Sequence, residues 1–398
     1  MPARPAARSR SRSRARLRLP VAGLAASAAL AALVQPAQAA GPPKPPDTAL
    51  QKRLDDLVRT AGGPPGVIVL LRQGDRTKVY RAGVSDTSTG RPPHTTDHMR
   101  IASVAKAFSG AVALRLVDRG KLDLDDTIGE RLPSLPTAWH QVTLRQLLQH
   151  TSGLPDYSKA PAFVDILRQD PRHRFDSRRL LDFVADKDLE FPPGSAYAYS
   201  NSDNIAVALM AEAATGRPYE RLLDRLVYRP LDLRQTSLPQ GYRLPRPYLH
   251  GYDVTPPEPP VDVSELFGVS GIWASGGIVS TPKDLNAFVR AWVGGHDYLS
   301  EETRRAQRTF IPGAASEPAG PGANAAGLAI FRYKTRCGTV FGHTGNTPGY
   351  TQFAAGTADG TRSVTFSMTT QTSKTVKPDL LAKVRTVQED FVCALLRH

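Results

Sequence analysis

The sequence lacks several signatures, and each gap removes a class of protein. It has no tandem repeat and no heptad run, which excludes a solenoid and a coiled coil. No serine sits in G-x-S-x-G, so the strand-to-helix nucleophile elbow of the α/β-hydrolases is missing. No acid occurs in the first 40 residues. No cysteine follows the apolar stretch near the N-terminus, which argues against a lipid anchor there. The only two cysteines are Cys337 and Cys393.

What is present begins with charge. The formal net charge is +14 and invites a nucleic-acid reading. Arg4, Arg8, Arg10, Arg12, Arg14, Arg16 and Arg18 lie in the acid-free segment, so +14 less seven leaves +7 for the remainder. That segment has the layout of a signal peptide: a basic start, an apolar run over 19–34, and Ala37 and Ala39 placed for A-x-A cleavage. The run is short for a membrane span. The arginines are never adjacent, which favours the general secretory route over twin-arginine export. Residues 1–40 are therefore expected to be removed and 41–47 to be a Pro-rich linker, giving a secreted protein with no stable membrane anchor and no nucleic-acid partner. In an exported chain Cys337 and Cys393 are expected to pair, the alternative being two buried free thiols.

Residues 48–398 are long enough for one large domain. Leu50, Leu54 and Leu57 at helical spacing predict a helix over 48–60. Apolar runs at 67–71 and 78–84 flank Gly74-Asp75 and read as a hairpin. Residues 103–119 predict a helix ended by Gly120. Residues 327–333, 339–344, 351–355 and 362–369 read as successive antiparallel strands, with a tight turn at Asp359-Gly360. A final helix is expected over 378–396. The expected fold is α/β in the α+β sense. An antiparallel sheet flanked by helices is built from about 48–105 and 271–398, with a mainly helical lobe inserted at about 106–270. The cleft between lobes is the default site.

Three short motifs carry chemistry. In Ser103-Val104-Ala105-Lys106 the hydroxyl and ammonium share a helix face, and a lysine neutralised by burial could accept the serine proton. The spacing alone is weak, because Ser280-Thr281-Pro282-Lys283 repeats it and looks like a capped helix start. Tyr199-Ser200-Asn201 is the only Y-x-N, and its hydroxyl and amide can relay a proton and hold a carbonyl. Its plain alternative is a buried tyrosine with a capping asparagine. His343-Thr344-Gly345 is the only H-x-G; its glycine would let a substrate backbone approach, while the histidine alone could be structural.

The order of these motifs resembles that of penicillin-binding proteins and class C β-lactamases. The segments Gly120-Lys121-Leu122-Asp123-Leu124-Asp125-Asp126, Leu147-Leu148-Gln149-His150-Thr151-Ser152-Gly153-Leu154, Gly276-Gly277 with Ser280-Thr281, and Gly342-His343-Thr344-Gly345-Asn346 look similar too. Within that family the chain is most similar to secreted D-alanyl-D-alanine carboxypeptidases, on Asp359-Gly360-Thr361-Arg362-Ser363-Val364-Thr365 and the placement of Cys337 and Cys393. The resemblance implies a β-lactamase/transpeptidase-like fold and a serine acyl-enzyme mechanism. Ser103 would be acylated, with Lys106 and Tyr199 moving its proton and His343 beside them. Backbone N–H groups of Ser103 and Asn346 would form the oxyanion hole. Asn201, Thr344, Gly345 and Asn346 would bind substrate and leaving group. Two departures stand out. Asn346 occupies a position where those carboxypeptidases carry threonine, and the strand position of their carboxylate-binding arginine is Phe331, leaving Arg332 as the candidate cation.

The resemblance further implies a monomer without cofactor or metal. It would act on a peptidoglycan stem peptide or a small ester or amide, and β-lactams would be covalent ligands. A β-lactamase, an esterase on the same scaffold and a sensor that acylates without turnover are the competing readings. A metal site at His94-Thr95-Thr96-Asp97-His98 is disfavoured for want of a third ligand.

Overall fold

The computed structural model describes residues 47–295 and 297–397; the expected signal peptide and most of the linker lie outside them. Asp47 caps the first helix, α1 (Thr48–Arg59), accepting from the Ala49 amide at 2.9 Å. Its buried stripe is Leu50, Leu54 and Leu57, as the periodicity predicts. The hairpin follows as β1 (Gly66–Gln73) and β2 (Arg76–Gly83). The chain then leaves the sheet through β3 (Met99–Arg100), α2 (Ala105–Val117), α3 (Ile128–Arg131), α4 (Leu144–Gln149), α5 (Pro161–Gln169), α6 (Asn201–Thr215) and α7 (Tyr219–Leu223). Two short strands, β4 (Tyr252–Asp253) and β5 (Val261–Asp262), precede α8 (Trp273–Gly276), β6 (Val279–Ser280), α9 (Pro282–Gly294) and α10 (Glu301–Gln307). It returns as β7 (Ile311–Pro312), β8 (Ala323–Ala326), β9 (Phe331–Thr335), β10 (Gly338–Thr347), β11 (Tyr350–Gly356) and β12 (Arg362–Met368), and ends in α11 (Pro378–Leu396).

The main sheet has eight strands in the order β2-β1-β12-β11-β10-β9-β8-β7, paired antiparallel throughout. The alternation of side chains separates its two faces. Val67, Val69 and Leu71 of β1, with Val364, Phe366 and Met368 of β12, pack under α1 and α11. Ile68 and Leu70 point the other way, into a core that continues through α2, α6 and α9. The helical lobe therefore shares one continuous core with the sheet. Cys337, in the turn between β9 and β10, is bonded to Cys393 of α11 with Cα atoms 5.1 Å apart. Closing a loop of 56 residues removes about 4 kcal/mol of unfolded-chain entropy on the chain-entropy estimate.

Two elements differ from the sequence expectation. The apolar stretch 327–333 is not one strand: it breaks between β8 and β9, with Ala329 at φ 53. Leu328 and Ala329 donate their amides to Gln307 O and Leu148 O, so the ends of α10 and α4 satisfy the backbone that a sheet partner would have taken. Ala329 sits so close to Gly110 of α2 that a Cβ on the glycine would lie 2.1 Å from the alanine Cβ. The helix expected from Ser103 instead begins with a 3₁₀ turn, Ala102–Val104, and becomes α-helical at Ala105.

Candidate active site

Ser103 is the middle residue of that 3₁₀ turn and follows Ala102, whose φ of 49 is unfavourable for a residue with a Cβ. One turn on, Lys106 is buried to 1% exposure. Its Nζ lies 3.2 Å from Ser103 Oγ, 2.7 Å from Asn201 Oδ1 and 2.8 Å from the Ser275 carbonyl. Burial is the main cause that brings its pKa from 10.5 down to about 7; the charges of Asp156 and Asp203 oppose the shift. A neutral amine has two N–H donors and one lone pair. Asn201 Oδ1 and Ser275 O can accept the two donors, which leaves the lone pair for the serine hydroxyl.

Tyr199 and Asn201 reach the same point from the start of α6. The segment before them is pinned to the loop after α4 by Gly194 N to Thr151 O at 2.7 Å and Ala198 N to His150 O at 3.0 Å. The Tyr199 ring lies 4.9 Å from Lys106 Nζ and 4.5 Å from the His150 ring. Its hydroxyl is buried and completes no hydrogen bond. Burial raises its pKa, and Ser103 pulls the other way more weakly, so Tyr199 rests as a protonated phenol. Asn201 is oriented through its amide, which donates to Ser158 Oγ at 2.9 Å and Asp156 Oδ2 at 3.3 Å.

The third motif is placed differently from expectation. A Cβ on Gly345 would stand 2.6 Å from Ile101 O and 2.9 Å from Ser103 N. The chain's own nucleophile turn, rather than a substrate backbone, therefore occupies the space that this glycine leaves open. That approach sets the Ser103 amide against the strand just before Asn346. The Asn346 side chain is held between Gln371 Nε2, donating at 3.1 Å, and Thr372 O, accepting at 3.3 Å. His343 is buried beside Phe331 and is not part of the cleft lining. Burial lowers its pKa to about 3, against the hydrogen bond from Nδ1 to Thr344 O at 2.6 Å, so the ring is neutral. Thr344 is also buried, its hydroxyl bonded to Ser316 Oγ at 2.6 Å and Pro318 O at 2.5 Å.

Arg332 does not reach the site. It pairs with Phe341 across β9 and β10 and its guanidinium stacks over Phe310 at 4.9 Å, outside the residues lining the cleft. A strand register shifted by one residue carries a side chain to the other face, and that has happened here. The second Ser-x-x-Lys is a helix start: Thr281 accepts from Asp284 N at 3.2 Å, Pro282 opens α9, Ser280 Oγ bonds Thr236 Oγ1 at 2.8 Å, and Lys283 is exposed. At the disfavoured metal segment, Asp97 is taken by Arg91 at 2.9 Å and by the His94 amide. Among the described residues no cluster fit to hold a metal ion occurs, and no helix is long and apolar enough to cross a membrane.

Several site residues escaped the sequence reading. Ser275 acts through its carbonyl, which no side-chain pattern can signal. Asp156 and Ser158 hold Asn201, and the buried pair of His150 Nδ1 and Asp203 Oδ2, 2.6 Å apart, backs Tyr199. Burial lowers the His150 pKa and is the main cause that raises that of Asp203. His150 and Ser152 lie in the Leu147 to Leu154 segment quoted above, which was the available signal.

These groups border a cleft of about 720 Å³. Ser103, Tyr199, Asn201, Ser275 and Asn346 supply its polar side; Phe163, Leu167, Phe267 and Val376 supply apolar surface. Its acids are Asp156 and Glu317, and its rim cation is Lys159, 3.8 Å from Asp156.

Comparison with known proteins agrees with this fold. The Beta-lactamase family model matches residues 47–388. Penicillin-binding protein 4* of Bacillus subtilis strain 168 is 24% identical over 315 residues, which is 75% of this chain and 67% of that protein. The structure of a D-amino acid amidase from Ochrobactrum anthropi SV3, complexed with L-phenylalanine amide, superposes with a TM-score of 0.75 at 26% identity. It covers 87% of this chain and 98% of the other. A D-stereospecific amidohydrolase from a Streptomyces species gives a TM-score of 0.73 at 26% identity, over 86% and 98%.

Proposed function

The chain belongs to the beta-lactamase family, and from that premise we propose that it is a serine amidohydrolase cleaving the amide bond on the carbonyl side of a D-amino acid. The observation that carries this reading is the buried Lys106, with a pKa near 7, held between Ser103 Oγ, Asn201 Oδ1 and Ser275 O. Neutral Lys106 takes the Ser103 proton as Oγ attacks the carbonyl carbon. The oxyanion faces the backbone amides of Ser103 and Asn346. Tyr199, a protonated phenol beside Ser103, passes its proton to the leaving nitrogen and is reprotonated by Lys106, and the C–N bond breaks to give the acyl-serine. Water then attacks that ester, giving its proton to Lys106, which returns it to Ser103 Oγ as the acid leaves. His343, neutral and buried, supports the strand that carries Asn346.

Amide chemistry on D-residues is the activity named for the two superposed enzymes, and penicillin binding is named for the Bacillus relative. A D-alanyl-D-alanine carboxypeptidase is one member of this class; it needs a cation for the terminal carboxylate, and Arg332 does not supply one. β-Lactams are proposed as covalent ligands at Ser103. Export with removal of residues 1–40 remains part of the proposal, and N-terminal sequencing of secreted material checks it.

Side-by-side turnover of D- and L-phenylalanine amide, a D-Ala-D-Ala peptide, a short ester and a cephalosporin tests the assignment. The D-amide is expected to be hydrolysed and the L-amide to be left intact. Hydrolysis of the ester with no amide or peptide cleaved would replace this reading with an esterase.

A further inference from the structure

The segment before β8 carries an acid that lines the cleft. Tyr197, two residues before Tyr199, donates its hydroxyl to Ala315 O at 2.6 Å. On the other side, Ser316 Oγ and Pro318 O both bond the Thr344 hydroxyl. Glu317 lies between these two anchors, so the segment carrying it is tied to the second motif and to the third. Its side chain is exposed, lines the same cleft as Ser103, Tyr199 and Asn201, and forms no ion pair among the described residues. Lys159, the cleft's rim cation, is already beside Asp156. Burial is the main cause that raises the pKa of Tyr197 and Tyr199, and the charge of Glu317 adds to it in the same direction.

We propose that Glu317 is a specificity-determining residue that disfavours leaving groups bearing a free carboxylate and favours neutral or cationic ones. The Thr344 hydroxyl, expected to bind substrate and leaving group, is spent on Ser316 and Pro318. The expected cation, Arg332, is stacked on Phe310, and the unpaired carboxylate of Glu317 lines the cleft instead. A substrate carboxylate brought against Glu317 meets like charge in a partly desolvated cleft, whereas an ammonium meets a counter-charge. The chemistry itself is unchanged: the amide C–N bond breaks, the acyl group stays on Ser103 Oγ, and the departing amine leaves with the transferred proton.

This inference rests on the amidohydrolase reading and is tested so that the two can fail separately. Three amides of D-phenylalanine share one acyl group and differ in the leaving amine: glycine, glycinamide and 1,2-diaminoethane. In the unaltered protein kcat/KM is expected to be at least about tenfold lower for the glycine compound than for the glycinamide compound. Glu317→Gln should narrow that gap by about tenfold and Glu317→Arg should invert it, with the diaminoethane compound losing in both. Equal ratios among the three substrates in all three proteins would overturn the role of Glu317. The rate of Ser103 acylation by benzylpenicillin against its methyl ester gives a second reading that needs no amide turnover. Glu317→Gln should accelerate the acid relative to the ester, and an unchanged ratio counts against the proposal. If none of the amides is cleaved, the amidohydrolase assignment fails and this acylation ratio alone decides Glu317.

Discussion

Ser103-Val104-Ala105-Lys106 and Ser280-Thr281-Pro282-Lys283 carry the same spacing into opposite surroundings. In the first, the lysine is the buried member, and three oxygen atoms converge on its nitrogen. In the second, the serine is buried and the lysine stands in solvent. The first serine opens onto a cleft; the second is bonded to Thr236 at the base of a helix. Spacing brings two groups within reach, but desolvation of the amine decides whether it can act as a base near neutral pH. The difference thus lies in Tyr199, Asn201 and Ser275, which wall off Lys106 and have no counterpart around Lys283.

The strongest way to break this comparison is to remove the hydroxyls in turn. Ser103→Ala should lower amide hydrolysis on the order of 10⁴-fold or more and abolish labelling by penicillin, read by mass spectrometry of the tryptic peptides. Ser280→Ala should keep the label and cost about 1 kcal/mol of stability for the lost hydrogen bond. Label found on Ser280 would reverse the assignment.

Next come the amines. Lys106→Gln should reduce kcat/KM roughly 10²- to 10⁴-fold, while Lys283→Gln should leave it unchanged. In the unaltered protein kcat/KM should rise with pH through about 7, as Lys106 loses its proton. The same shift has a stability sign: the unfolded lysine keeps its proton to about 10.5, so unfolding takes up a proton between those values and stability rises with pH across them. A profile flat between pH 6 and 8 would remove Lys106 as the base.

The smallest expected effect sharpens the contrast from the other side. Thr281→Ala removes the α9 cap and should cost about 1 kcal/mol, seen as a lowered Tm, with the acylation rate untouched. The second tetrad is then a stability element and the first a reactive one.

Much of this was readable before any coordinates. The stripe Leu50, Leu54 and Leu57, the hairpin about Gly74-Asp75 and the helix ending the chain all follow local periodicity, and the structure has them. Ser103, Lys106, Tyr199 and Asn201 were identifiable because their chemistry resides in side chains at fixed spacing. Ser275 was not, because it contributes a carbonyl. Arg332 was misplaced because its orientation depends on pairing with Phe341, which sets its guanidinium over Phe310. The stretch 327–333 misled because Leu328, Ala329 and Ile330 are apolar like a strand, yet Ala329 packs on Gly110 of α2 and the amides of Leu328 and Ala329 go to helical carbonyls. Glu317 carries no motif; its position comes from the bonds that tie Ala315, Ser316 and Pro318 to distant residues.

The order of strands in the sheet bears on how the molecule is made. Val67 in β1 pairs with Met368 in β12, close to the far end of the chain. During synthesis the hairpin of β1 and β2 emerges early, with the Val67-Ile68-Val69-Leu70-Leu71 edge unpaired until β12 arrives. The sheet cannot close around a partial chain, so completion waits for the ribosome to release nearly everything. Nascent chains halted before residue 362 should stay sensitive to protease, and chains released beyond residue 396 should become resistant. The proposed export would then meet a chain that is still threadable.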